Sequence, residues 1–325
     1  MGYRCRLIRK IILITLMLLL VILAAPDILF ASDKPPCPCA LYNRDLYETK
    51  PHMRGEDVWE LQNRLQQLGF FKGECDGIYG KKTAAAVRSF QKKKKQPVTG
   101  RVVDATWQAL GEGCEHPVSN PADKPPENVS VLVDLEKLTL TVMEGDLLFK
   151  QYPVAAGKPS TPSPIGEWKI ISKEFDWGGA FGARWMGLNV PWGNYGIHGT
   201  NRPWSIGSSV SAGCIRMFNE DVVQVFEWAP VGTRVKIKAP LTWLAGSGNR
   251  TLKKGDCGPD VVYLQLLLKE TGFNPYYCDG WYGALTELTV RTYQLHTGLP
   301  ISGQVDEKTR HHLEEKAGVF ETQNQ

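Results

Sequence analysis

The sequence predicts a multidomain protein in which a mostly-β domain sits between two small three-helix units. Three observations carry that prediction: a chain of 325 residues, longer than one hydrophobic core usually organises; an internal repeat; and alternating apolar and polar residues between its two copies. At 42% hydrophobic and 22% charged, the composition excludes a wholly disordered chain and a polytopic membrane protein. The net charge of +4 is mildly basic and too diffuse for nucleic acid, so no nucleic-acid partner is expected. The dense basic run Lys92 to Lys95 follows "VRSFQ" at a helix end, where lysines suit the helix dipole.

At the N-terminus, Arg4, Arg6, Arg9 and Lys10 precede the apolar run Ile11 to Ala25. This is the layout of an export signal with a plausible cleavage site after Ala31. Ile11 to Phe30 is also long enough to span a bilayer, so residues 1–31 read as a signal peptide or a membrane anchor. Either way the remainder is expected outside the cytoplasm, in the extracellular space or cell wall. Of eight cysteines, Cys5 lies in this segment. With Cys214 set aside, Cys37, Cys39, Cys75, Cys114, Cys257 and Cys278 are even in number and suit an oxidising compartment. Cys75 with Cys114, and Cys257 with Cys278, are the expected pairs, because each lies within one unit.

The repeat begins at Gly55 ("GEDVWELQNRLQQLGFFKGECDGIYG") and again at Gly258 ("GPDVVYLQLLLKETGFNPYYCDGWYG"), aligned without a gap at a constant offset of 203 residues. Val58, Leu61, Leu65 and Leu68 fall at helical spacing, and Gly69 sits where a helix would stop. "CDGIYG" is a turn, Thr83 is expected to cap a second helix carrying Ala86, Val87 and Phe90, and a third short helix closes the unit. With no acid–base pair or nucleophile of its own, such a unit suits binding better than catalysis; a spacer is the blander alternative. Between the copies, "EHPVSNPADKPPEN" reads as a semi-rigid linker. Residues 137–142 then alternate as a strand, turn at Glu144-Gly145-Asp146 and return through 147–154. "GEWKIIS", "RWMGLNV" and "RVKIKAP" add strands, and Asn219 opens one helix that packs Val222, Val225 and Phe226.

The chemistry lies in "YGIHGTNRPWSIGSSVSAGCIRM", Tyr195 to Met217. If "CIRM" is extended, Cys214 and Arg216 share one face while Ile215 and Met217 enter the core. A thiol can attack a carbonyl, and a guanidinium can hold a carboxylate through a forked pair of hydrogen bonds. Gly213 leaves the backbone beside the thiol bare, so that its N–H groups can approach a developing oxyanion. His198 ends a strand-like segment and is the natural base, with the Gly199 carbonyl available to orient its ring. Zinc needs three or four ligands, and no Cys-x-x-Cys or His-x-x-x-His accompanies this pair; Ser209 and Ser211 are in no Gly-x-Ser-x-Gly elbow. Cys37-Pro38-Cys39 and His311-His312 read as a disulfide region and a helix surface. Residue types alone leave a structural Cys214 open beside a nucleophilic one.

Two resemblances bear on that choice. The repeats, at residues 45–114 and 249–316, resemble the type-one peptidoglycan-binding domain in Gly-x-Asp-Val-x-x-Leu-Gln, Asp-Gly-x-x-Gly, Thr and Phe-Gln; Tyr293 replaces the Phe in the second copy. "HGT" at 198–200 and "SAGCIRM" at 211–217, with "TPSPIGEW" upstream, resemble the L,D-transpeptidase (YkuD-type) catalytic domain over residues 127–240. That resemblance implies a β-sandwich with Cys214 as nucleophile, His198 as base and Gly199 as orienting backbone. It places Ser211, Gly213 and Arg216 around the nucleophile as substrate-binding positions, and it implies neither metal nor cofactor. Ala212 departs from members with a second histidine there. The implied reaction is acyl transfer between peptidoglycan stem peptides, linking two third-position residues, by a monomer held on the wall through its repeats. Transfer to water would make the protein an L,D-carboxypeptidase, and an inert Cys214 would leave a non-catalytic wall-binding protein.

Overall fold

The computed structural model describes residues 44–114, 126–175 and 178–319. The apolar N-terminal segment, Cys5, Cys37, Cys39 and most of the Pro-rich linker lie outside these residues. Among the described residues no helix is long and apolar enough to cross a membrane.

The first repeat folds as α1 (Glu56–Gln67), α2 (Lys81–Lys93) and α3 (Asp104–Gly111). Val58, Leu61 and Leu65 are buried as their spacing requires, whereas Leu68 is the exposed C-cap of α1 and the chain turns on Gly69 at φ 80°. Thr83 does not cap α2. That helix starts at Lys81 with Gly80 as N-cap, and the Thr83 hydroxyl instead donates to the Ile78 carbonyl at 3.2 Å and accepts from Gln62 Nε2 at 3.0 Å.

The middle domain contains β1 (Val129–Asp134), β2 (Thr139–Glu144), β3 (Leu147–Pro153), β4 (Ala156–Gly157), β5 (Gly166–Phe175), β6 (Arg184–Leu188), β7 (Tyr195–His198), β8 (Ser209–Ser211), β9 (Ile215–Arg216), α4 (Asn219–Trp228) and β10 (Arg234–Lys238). Eight strands form one curled sheet in the order β3-β2-β1-β10-β5-β6-β7-β9, and β4 pairs with β8 separately. Strand β5 is the corner. Its first residues, Gly166 to Lys169, pair with β10, and from Ile170 on it pairs with β6, with a register shift between Ile170 and Ser172. A strand that changes partners across such an irregularity lets the two halves of a sheet enclose one core. Val133, Leu140 and Val142 from one half accordingly share a cluster with Met186, Leu188, Ile197 and Ile215 from the other, with α4 supplying Val222, Val225 and Phe226. The first residue of α4 is Asn219, but its N-cap is Phe218 and no side chain caps it; Asn219 is used elsewhere, as described below.

The second repeat forms α5 (Pro259–Glu270), α6 (Ala284–Thr297) and α7 (Glu307–Lys316). Its matching residues rebuild one polar network. Gln62 Nε2 donates to Asp76, Ile78 O and Thr83, and its Oε1 accepts from Gly77 N; Gln265 does the same with Asp279, Trp281 O, Thr286 and Gly280 N. Tyr79 and Tyr282 donate to the carbonyls of Gly100 and Gly303 at 2.8 and 2.9 Å. Much of the repeated motif therefore holds turns against helices.

The two repeats attach differently. The apolar core of the second is continuous with that of the β-domain, and Glu167 N donates to Cys278 O at 2.9 Å. The first keeps a separate core, to which the β-domain contributes Trp204. The expected disulfides are not present: Cys75, Cys114, Cys214, Cys257 and Cys278 are all unbridged. Cys114 Sγ accepts from Arg64 and Cys75 Sγ donates to Gln66, which directs the two thiols to different partners. Burial pushes the Cys278 thiol up to about 12.

Candidate active site

Parallel pairing of β7 with β9 sets His198 opposite Arg216. Registered partners and alternate residues share a face, so His198, Arg216 and Cys214 lie on one side of the sheet while Ile215 and Met217 enter the core on the other. Phe181 and Trp185 pack with Cys214 in a small apolar cluster. The same two rings flank the imidazole, Phe181 edge-on at 5.1 Å and Trp185 stacked at 5.6 Å between centroids. Thiol and imidazole thus pack against the same two aromatic rings.

His198 Nδ1 lies 2.5 Å from the Gly199 carbonyl oxygen. A carbonyl only accepts, so Nδ1 carries a proton, which in the neutral ring leaves the lone pair on Nε2; Nε2 has no hydrogen-bond partner among the described residues. Asn219 braces this arrangement. Its Oδ1 accepts from Ala183 N and Thr200 N at 3.0 and 3.1 Å, and its Nδ2 donates to Thr200 O at 3.0 Å. The turn before Cys214 is held from within. Ser211 Oγ donates to Cys214 O at 2.6 Å and accepts from Gly213 N at 3.1 Å. The upstream "TPSP" segment closes its other side, with Thr161 Oγ1 and Lys158 N both donating to Ser211 O.

Gly213 has φ 115°, and a Cβ there would lie 2.7 Å from the Tyr195 ring. Gly213→Ala is therefore expected to lower unfolding stability by about 1–3 kcal/mol, read by thermal denaturation.

The face carrying these groups is covered. Cys214 is 1% exposed, His198 1% and Arg216 3%, so the face that Cys214 and Arg216 share is closed to solvent. Glu60, on α1 of the first repeat, sits against it: its Oε1 accepts from Arg216 Nη1 at 2.9 Å and its Oε2 from Arg202 Nη1. Burial raises the Glu60 carboxyl, but the charges and hydrogen bonds of Arg202 and Arg216 outweigh it and leave the group below the usual glutamate range. Arg202 also lies 4.5 Å over the Trp107 ring, Trp204 stacks on Trp107, and Arg64 covers Trp204. At the rim, Lys158 pairs with Glu56.

Sequence reasoning missed Glu60, Arg202, Asn219, Phe181 and Trp185. Arg202, within the quoted glycine- and serine-rich stretch, was the one legible signal. Among the described residues no group of three or more His, Cys, Asp or Glu could hold a metal ion.

Fold and site together define a curled β-domain with a thiol and an imidazole on one face, held between two helical repeats. A family model described as the L,D-transpeptidase catalytic domain, YkuD, matches residues 128–237, and one described as "Putative peptidoglycan binding domain" matches 54–110 and 257–313. "Putative L,D-transpeptidase YkuD" of Bacillus licheniformis is 49% identical over 107 residues, covering 33% of this chain and 64% of that protein. "Putative L,D-transpeptidase YqjB" of Bacillus subtilis is 38% identical over 127 residues, 34% of this chain and 72% of the relative. An L,D-transpeptidase from Mycobacterium smegmatis is among the solved structures matched, at TM-score 0.29 and 23% identity, with 34% of this chain and 59% of that one covered. The chain belongs to the YkuD L,D-transpeptidase family, with a peptidoglycan-binding domain on each side of the catalytic domain.

Proposed function

We propose that the protein is a cysteine-dependent L,D-transpeptidase. Cys214 attacks the carbonyl of the third stem-peptide residue, and His198 Nε2 takes the thiol proton. The C–N bond to the terminal D-alanine then breaks, that amine takes the proton from the imidazolium, and a thioester to Cys214 remains. An amine on a second stem displaces the thiolate, its proton passing through His198, and the product links two third-position residues. Gly199 orients the imidazole, while Ser211 and Gly213 shape the turn that presents the sulfur. The reading rests chiefly on one observation: an unbridged Cys214, just before β9, and His198, at the end of the paired strand β7 with Nδ1 held by the Gly199 carbonyl, pack against the same two aromatic rings. Aromatic walls exclude water, which favours transfer to an amine over hydrolysis of the thioester. Export past the cytoplasmic membrane and retention on the wall by the repeats complete the reading, since tethering raises the local concentration of stem peptides.

The test is incubation of the full chain with disaccharide-tetrapeptides and mass analysis of the products. The expected product is a dimer lacking one alanine. Monomeric tripeptide as the sole product would make the protein a carboxypeptidase, and absence of both would leave a wall-binding protein.

A further inference from the structure

The buried contact between Glu60 and two arginines is the strongest feature that the reaction above does not use. Glu60 is 4% exposed, Arg202 1% and Arg216 3%. Taking three charges out of water is costly, and apolar residues of similar volume would stabilise the same joint at least as well. The fold of the repeat does not require the glutamate. At the constant offset of 203 residues, the second copy carries Tyr263 in its place, bonded to Glu314 within its own unit. Glu60 therefore serves the joint with the catalytic domain.

The joint is also built to part. The second repeat shares one continuous apolar core with the β-domain, but the first keeps its own core and meets the β-domain through ion pairs and stacked rings. A cleft of about 140 Å³ already opens along this seam, lined by Trp59, Glu60, Asn63, Trp204 and Val210. The arginines themselves are placed for substrate. Arg216 is two residues from Cys214 on the same face and opposite His198, and Arg202 lies four residues beyond His198.

We propose that Arg202 and Arg216 form a binding site for the free carboxylate of a stem peptide, and that Glu60 occupies it as an internal stand-in, so that the first repeat closes the site until a substrate carboxylate displaces it. This rests on the reading of Cys214 and His198 as the reacting pair. The device makes the thiol accessible only where carboxylate-bearing stems are abundant. The repeat that closes the site belongs to a peptidoglycan-binding family, so engagement with the wall and opening of the site draw on the same module.

The experiment measures the alkylation rate of Cys214 by iodoacetamide in the full chain, read peptide by peptide by mass spectrometry. Labelling needs no turnover. In Glu60→Gln, Cys214 is expected to label at least about tenfold faster than in wild type. Millimolar N-acetyl-D-alanine should accelerate labelling of the wild type, its C-terminal amide should not, and neither should affect Glu60→Gln. Wild-type labelling rates in a folded Glu60→Gln protein would overturn the closure, and equal effects of acid and amide would overturn the carboxylate site. If Glu60→Gln fails to fold, Lys158→Gln removes the rim pair with Glu56 while every buried charge keeps its partner. Labelling about threefold faster supports the proposal, and an unchanged rate overturns it. Labelling that behaves as expected without any dimer or tripeptide formed would retire the transpeptidase reaction and leave the closure standing.

Discussion

Cys214→Ala should abolish release of D-alanine from tetrapeptide stems, with product formation falling by at least about 10⁴-fold, because alanine removes the sulfur on which the proposed thioester forms. The substitution removes one sulfur from a small cluster of Phe181, Trp185 and Ala212, so its cost in stability should stay near 1 kcal/mol. A large loss of activity beside a nearly unchanged melting temperature is the signature of a reacting group. His198→Gln should fall on the same side of that comparison, because glutamine lacks the basic nitrogen at Nε2. Residual activity within about tenfold of wild type in Cys214→Ala would rule out the thioester route.

The largest expected effect on stability is at Trp168. Its side chain is 2% exposed in the main core, its Nε1 donates to Pro164 O at 2.8 Å, and its ring meets Trp192 edge-on at 5.4 Å. Trp192 in turn packs against Gly280 of the second repeat, where a Cβ would collide with the indole. Trp168→Ala thus opens a cavity at the corner strand β5 and loosens the platform on which the second repeat sits. A loss of about 3–5 kcal/mol is expected, with the melting temperature lowered by roughly 10 °C. Limited proteolysis should then cut earlier between the β-domain and the second repeat than in the first repeat, whose core is separate. Retention of the wild-type melting temperature would show that the corner is supported without the indole.

The helices of both repeats, the hairpin at Gly145, the strands β5, β6, β7 and β10 and the division of Cys214 from Ile215 were legible because each depends on periodicity within a few residues. The two-residue β4 and three-residue β8 were not, since so short a stretch shows no period. Thr83 and Asn219 read as caps because their side chains suit that role. The structure instead gives the Thr83 hydroxyl to Ile78 and Gln62, and the Asn219 amide to Ala183 and Thr200. A local preference yields when a buried backbone group elsewhere needs the same atoms. The disulfide pairing failed for a related reason: cysteines within one unit need not face one another.

The sequence by itself determined the family and the placing of a catalytic domain between two repeats, and it singled out Cys214 and His198 as candidates, because repeat spacing, strand alternation and the "HGT" and "SAGCIRM" motifs are local in the chain. Tertiary structure alone decided that the site is closed. Glu60 reaches Arg216 across 156 residues of chain, from a helix position whose neighbours give no sign that a carboxylate there would be buried. Helical periodicity reports which face a helix turns to its own core. It carries no information about a second surface that will cover the opposite face, and charge pairing at such a joint is set by the docking of whole domains.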